Sequence, residues 1–339
     1  MPKIEYMKIS ASIYSDKGRE LAVTIEDLVN HQVDLLHVDC NDNIAVFDDI
    51  QAIRKQCSLP IDLHIITEQP EKYFDALRAT PVELVTFQYE QLPTGFQFPD
   101  DIPGSKGLAI VTPTPMDVFD EYSDFDFLLV MATVPGQSGG VFDPVNFKKI
   151  RQFQKKYPGK KVHVDGGVNG EVSFILRNMG VHASVSGSFL FNAPSIGQAL
   201  MDLTKREIES QFKIKDFMID RSECPILQLN ELTLESSLRS IESGSLGFSI
   251  VEEAGRFVGI ISNADVRKAL LKNISALDKL DPQELINPSP VTIHEHLTVN
   301  EMLQFVRDQA ISIMYLPVLN DKYNATGVVS FLNLIKGEI

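Results

Sequence analysis

Between residue 8 and about residue 191, short apolar runs alternate with stretches whose Glu, Lys and Arg fall on one helical face. The runs cover residues 9–13, 35–39, 61–66, 84–89, 107–111, 127–133, 161–165 and 183–188. Each reads as a buried parallel strand, and the stretches between them read as helices. Eight such units in roughly 200 residues predict a closed (β/α)8 barrel, an α/β fold. A doubly wound open sheet is the alternative, but it would not bring the ends of units two, three and seven together. Pro93, Pro99 and Pro103 fall where the fourth helix belongs, so that helix is expected to be short or absent. Residues 200–217 read as a closing helix running into a charged linker.

Beyond that linker the texture changes and a weak repeat begins. Leu232-Thr233-Leu234 returns as Leu297-Thr298-Val299, and Gly259-Ile260-Ile261-Ser262 returns as Gly327-Val328-Val329-Ser330. Each copy is expected to run helix, two strands, helix. The predicted domains are therefore a barrel over 1–210 and a tandem pair over 211–339, its modules near 218–275 and 282–339.

The ends of three strands are polar. His37-Val38-Asp39, Asp62-Leu63-His64 and His163-Val164-Asp165 each put a histidine and an aspartate two positions apart, hence on one face of a strand. In a barrel they meet at the C-terminal rim. His37, Asp39, His64 and Asp165 form a donor set suited to Zn(II), Mn(II) or Fe(II). That set also suits removal of a proton beside a carbonyl, two aspartates serving as base and acid while a metal stabilises the enediolate. Gly166-Gly167 after strand seven and Gly187-Ser188 at strand eight stand where barrels bind phosphate through backbone N–H groups. Pro135-Gly136-Gln137-Ser138-Gly139-Gly140 reads as a lid loop. His163 is expected to be a satisfied core histidine.

A net charge of −15 argues against nucleic acid as the partner. No run is long and apolar enough to cross a bilayer, so no membrane partner is expected and the localisation expected is cytoplasmic. Three cysteines, Cys40, Cys57 and Cys224, without CxxC spacing support neither a disulfide framework nor a cysteine metal site.

These motifs resemble those of the ribulose-phosphate 3-epimerase family, in order over residues 8 to about 205. Ala11-Ser12-Ile13-Tyr14 resembles its PSIL, His37-Val38-Asp39 its HVD, Asp62-Leu63-His64 its DxHLM, and Pro70-Glu71 the PE that follows. Gly107-Leu108-Ala109 with Thr112-Pro113-Thr114-Pro115 resembles GLAxxPxTP, residues 131–142 the glycine-rich lid, and Val164-Asp165-Gly166-Gly167 with Ser186-Gly187-Ser188 its VDGG and GS. The resemblance implies a metal-dependent ketose-phosphate 3-epimerase of pentose phosphate metabolism, converting D-ribulose 5-phosphate to D-xylulose 5-phosphate or acting on a related ketose phosphate. Its metal ligands would be His37, Asp39, His64 and Asp165, with Asp39 and Asp165 as the acid–base pair. Ser12, His64 and Met131 would touch the substrate, and Gly136, Gln137, Ser138, Gly139, Gly166, Gly167, Gly187 and Ser188 would surround its phosphate. Departures fall on the expected substrate wall: the segment after Asp39 is shortened and lacks the family's methionine, Ile66 replaces a second methionine, and Gln88 stands for the histidine of FHxE.

The C-terminal pair resembles CBS (cystathionine β-synthase type) modules, notably those of arabinose-5-phosphate isomerases. That implies an adenosine- or cytidine-type nucleotide near Ser262, Asp265, Ser330 and Asn333, or a dimerising role, and a homo-oligomer is expected. The other reading is a catalytically weak sugar-phosphate sensor that signals through this pair.

Overall fold

The computed structural model describes residues 6–133, 139–205, 212–309 and 313–331. The described residues form two compact units, 6–205 and 212–331. In the first, β1 (Lys8–Ser12), β2 (Leu35–Asn41), β3 (Ile61–Ile66), β4 (Leu84–Gln88), β5 (Ser105–Val111), β6 (Phe127–Met131), β7 (Lys161–Asp165) and β8 (Ala183–Ser186) close into a parallel barrel in sequence order. Around them run α1 (Leu21–Asn30), α2 (Val46–Gln56), α3 (Phe74–Ala79), α4 (Val145–Lys156), α5 (Gly170–Asn178), α6 (Ser188–Asn192) and α7 (Ile196–Thr204).

No α-helix follows β4; a 3₁₀ turn, Tyr89–Gln91, leads into the proline-rich stretch. Phe96 and Phe98 do the covering instead. Their rings pack 5.1 and 5.7 Å from that of the fully buried Phe87 on β4, which keeps the strand's outer face dry without a helix. Inside the barrel, Ala109, Phe127, Leu129 and Met131 form one apolar cluster. The ring of Phe127 lies where a side chain on Gly107 would go, since a Cβ there would come within 2.2 Å of it and 2.7 Å of Thr86 Oγ1. Gly107→Ala is accordingly expected to destabilise the barrel by about 1–3 kcal/mol through overpacking. The midpoint of its urea transition is the measurement, and an unchanged midpoint would contradict this packing.

Strand register places the polar residues. The β2–β3 ladder sets His37 beside Asp62 and Asp39 beside His64, and the β6–β7 ladder sets Met131 beside Asp165.

The second unit contains α8 (Ile214–Phe217), β9 (Ile219–Asp220), β10 (Ile226–Gln228), α9 (Leu234–Gly244), β11 (Phe248–Glu253), β12 (Arg256–Ser262), α10 (Asn263–Lys272), β13 (Ile293–His294), α11 (Val299–Arg307), β14 (Tyr315–Leu319) and β15 (Ala325–Ser330). Its strands form two sheets, β10-β11-β12 and β13-β14-β15-β9. The repeat thus has a physical reading. Thr233 and Thr298 are the N-caps of α9 and α11, each bonding the backbone N–H three residues on. At Gly259 a Cβ would lie 2.3 Å from the Asn287 carbonyl, and at Gly327 2.2 Å from the Ile219 carbonyl, so each glycine admits a crossing segment. The helix expected to close the second module falls outside the described residues. Among the described residues no helix is long and apolar enough to cross a membrane.

Candidate active site

His37 and His64 are fully buried, while the Asp39 and Asp165 side chains are about one-fifth exposed. Each imidazole is held from behind. His37 Nδ1 lies 2.9 Å from Asp62 Oδ2, which also accepts from the Ser10 hydroxyl at 2.9 Å. Nδ1 therefore carries a proton, and Nε2 faces Asp39 at 3.2 Å and Asp165 at 3.8 Å.

His64 is fixed through an amide. Gln88 Nε2 donates to Glu90 Oε2 at 2.5 Å, so Gln88 Oε1 turns to His64 Nε2 at 2.9 Å and accepts its proton. Glu90 is itself held by the Val111 N–H at 3.0 Å and by the Thr114 hydroxyl. This leaves His64 Nδ1 with a lone pair, buried, 3.5 Å from Asp39 Oδ1 and without a hydrogen-bond partner among the described residues.

Ligand atoms of His37, Asp39, His64 and Asp165 all lie within 4.8 Å of one another. Ligands on opposite sides of an ion at 2.0–2.2 Å are separated by roughly 4 Å, so a small contraction would close the set around a divalent metal. The orphaned Nδ1, the outer-shell carboxylate and amide, and the two-imidazole, two-carboxylate chemistry all fit such an ion.

Electrostatics agree. Three carboxylates meet here, and His37 answers them: burial disfavours its charge, but Asp62 and Asp39 outweigh burial and raise its pKa well above the ordinary value. Burial also pushes at Asp39, yet the charge and hydrogen bond of His37 hold it far below the usual carboxylate range. Asp165 moves the other way, pushed up to about 6 by burial and by the Asp39 charge against the pull of His37.

Both raised groups give the metal-free chain stability that is lost as pH climbs, for Asp165 from about 4 through 6 and for His37 from about 6.5 upward. The lowered pKa of Asp39 acts only in acid. Chelated protein is expected to melt at progressively lower temperature from pH 6 to 9, and metal-loaded protein is not, because loading replaces the proton. Parallel pH–melting curves with and without chelator would refute this. Gln88→Leu should weaken metal binding about 10–100-fold with the fold intact, the range typical for an outer-shell partner. Metal titration of the folded variant gives the answer, and unaltered affinity would dismiss the amide's role.

Above the four ligands opens a cleft of about 620 Å³ whose lining includes Ser12, Asp39, Met131, Gly139, Asp165, Gly166, Gly167, Gly187 and Ser188. Gly166, Gly167 and Gly187 open its β7–β8 side. Gly166 and Gly167 have φ of +108° and +67°, and a Cβ on Gly167 would lie 2.2 Å from the Phe142 nitrogen. A Cβ on Gly187 would lie 2.3 Å from Ser15 Oγ. Gly136, Gln137 and Ser138, expected in the lid, lie outside the described residues.

The Ribulose-phosphate 3 epimerase family matches residues 8–191, more than half of the chain. The chain belongs to this family. Like the family it is an isomerase, a sugar-phosphate 3-epimerase. It is 27% identical to the cytoplasmic isoform of ribulose-phosphate 3-epimerase from Oryza sativa subsp. japonica, over 61% of this chain and 96% of that protein. It is 26% identical to the Bacillus subtilis ribulose-phosphate 3-epimerase over 58% of this chain and 98% of that one. For the Methanocaldococcus jannaschii enzyme of the same name the figures are 29%, 62% and 95%. A CBS domain matches residues 283–338.

Two expectations need correction. Gln88 was expected on the substrate wall as a departure from the family, but it is 2% exposed and faces His64. His163 was expected to be a satisfied core histidine. Its ring is stacked on Phe127 at 4.2 Å and His182 at 5.3 Å, yet neither ring nitrogen has a hydrogen-bond partner among the described residues. Burial pushes its pKa down to about 3, so it stays neutral. Sequence reading missed Ser10 and Glu90 and gave Asp62 no role, although the aspartate two residues before His64 shares its face.

In the second unit, Ser262 and Asp265 come together at the start of α10. The Ser262 N–H and hydroxyl donate to Asp265 Oδ2 at 3.0 and 2.5 Å, and the Asp265 N–H donates back to Ser262 Oγ at 3.2 Å. Ser330 ends β15, and Asn333 lies outside the described residues.

Proposed function

We propose that the barrel interconverts D-ribulose 5-phosphate and D-xylulose 5-phosphate, or a related ketose phosphate, by transferring the C3 proton between two aspartates. His37, Asp39, His64 and Asp165 would hold a divalent metal, Zn(II), Mn(II) or Fe(II). When bound, that ion supplies positive charge for the oxygens of the enediolate. One carboxylate takes the C3 proton, leaving an enediolate across C2 and C3; the other, protonated, delivers a proton to the opposite face, and C3 is inverted. Asp62 and Gln88 keep the imidazoles in the tautomers described above, and the backbone at Gly166, Gly167, Gly187 and Ser188 would receive the phosphate.

The observation that supports this most is the divergence of two carboxylates that share one buried site, Asp39 held ionised and Asp165 lifted towards neutrality. The test is proton NMR of D-ribulose 5-phosphate with purified protein in deuterium oxide. Deuterium at C3 together with xylulose 5-phosphate, both lost on chelation, is the expected result. No exchange at full metal occupancy, across pentulose and hexulose phosphates, would leave a sensor as the better account.

For the C-terminal modules the proposed ligand is an adenosine- or cytidine-type nucleotide. Asp265 uses only Oδ2 in the cap, which leaves Oδ1 for ribose hydroxyls. Thermal-shift screening with adenine and cytidine nucleotides tests it. No shift with any of them would favour dimerisation alone.

A further inference from the structure

We propose that Lys17 is the charged anchor of the substrate's phosphate and so sets the preference for phosphorylated over unphosphorylated ketoses. This rests on the sugar-phosphate reading above. Among the described residues that line the cleft, Lys17 is the only lysine or arginine; the charged residues with it are Asp39, Asp165 and Asp202. Asp202 already pairs with Lys205. With the two floor aspartates engaged by a metal, a phosphate dianion entering a protein of net charge −15 meets no full positive charge other than Lys17 among the described lining residues. Backbone N–H groups offer it only partial charges, whereas an ammonium adds a charge-assisted bond and focuses the local field.

The loop after β1 is built to present this side chain. Asp16 accepts from the Thr24 hydroxyl at 2.6 Å, from Arg19 Nε at 2.7 Å and from the Gly18 N–H at 3.3 Å. Arg19 is spent on Asp16 and on Asp27, 2.6 Å away. Lys17, between these pinned neighbours, has no hydrogen bond or ion pair with any described residue. Two residues earlier, Ser15 Oγ stands 2.3 Å from the position a Gly187 Cβ would take, so the loop rests directly on the Gly187–Ser188 turn. A lysine delivers a point charge from a flexible stem and needs no bidentate geometry to do so.

The test compares wild type, Lys17→Ala, Lys17→Arg and, as a control for the loss of one surface charge, Lys55→Ala. Lys17→Ala should raise KM for D-ribulose 5-phosphate about tenfold or more with kcat little changed, the signature of uniform binding. It should weaken calorimetric binding of inorganic phosphate by a similar factor. Both losses should shrink at high ionic strength. Lys17→Arg should stay within about threefold of wild type, and Lys55→Ala should match it. A KM and phosphate affinity in Lys17→Ala within threefold of wild type, or a loss confined to kcat, would overturn the proposal. If wild type shows no turnover, the epimerase reading fails by itself, and phosphate titration still decides the role of Lys17.

Discussion

Asp39→Asn and Asp165→Asn are each expected to lower epimerisation on the order of 10³-fold, the middle of the range for removal of one general acid or base. The more telling result is the residue of activity that survives. With one aspartate gone, the other can still take a C3 proton from the epimer whose hydrogen faces it and return a deuteron from solvent to the same side. Each variant should thus keep slow C3 exchange in one epimer only, and the two variants should favour opposite epimers. Both residues are proposed metal ligands, so metal content must be measured alongside; asparagine keeps an oxygen donor of nearly the same shape. Epimerisation within tenfold of wild type in either metal-loaded variant would remove that aspartate from the proton path. Equal exchange of both epimers in one variant would mean a single base works both faces.

The barrel was legible because a buried parallel strand is nearly all apolar, so every polar residue on it stands out. His37, Asp39, His64 and Asp165 were such exceptions, and the eight-strand count brought them to one rim. The supports were harder to see. Asp62 was read with His64 at a polar strand end and not as a partner for His37, because that contact depends on the β2–β3 register, which no local pattern states. Gln88 looked like a wall change because a substitution reveals a position but not the direction of its side chain. Its role depends on Glu90 claiming the amide nitrogen. The aromatic cover over β4 was likewise unread, since prolines announce that a helix is missing and say nothing of Phe96 and Phe98 filling the space.

In the second unit the repeat was visible and its cause was not. Gly259 and Gly327 recur because each lies against a neighbouring backbone that its sheet recruits from outside the hairpin: β9 pairs with β15 at Gly327, and Asn287 bridges to Ile260 beside Gly259. A strand of two residues leaves too short a pattern to detect.

One of those crossings carries the largest stability effect expected in this unit. Glu252 lies on β11, the central strand of its sheet, and is completely buried. Arg221, just after β9, meets it with Nε to Oε1 at 3.1 Å and Nη2 to Oε2 at 2.6 Å. The segment that completes the second sheet is thereby pinned to the first. Arg221→Met would strand a carboxylate where water cannot reach it, a loss of about 3–5 kcal/mol for a fully buried pair. The Arg221 side chain is about half exposed, so about 2–3 kcal/mol is the better expectation here. Removing both charges, Arg221→Met with Glu252→Leu, should recover most of it, because the cost lies in the unpaired ion rather than in the lost bond. Calorimetry of the full chain reads both effects: since the chain forms two compact units, the melting transition of the second should fall while that of the barrel stays in place. A double variant no more stable than the single one would show that the guanidinium's packing, not its charge, secures the crossing.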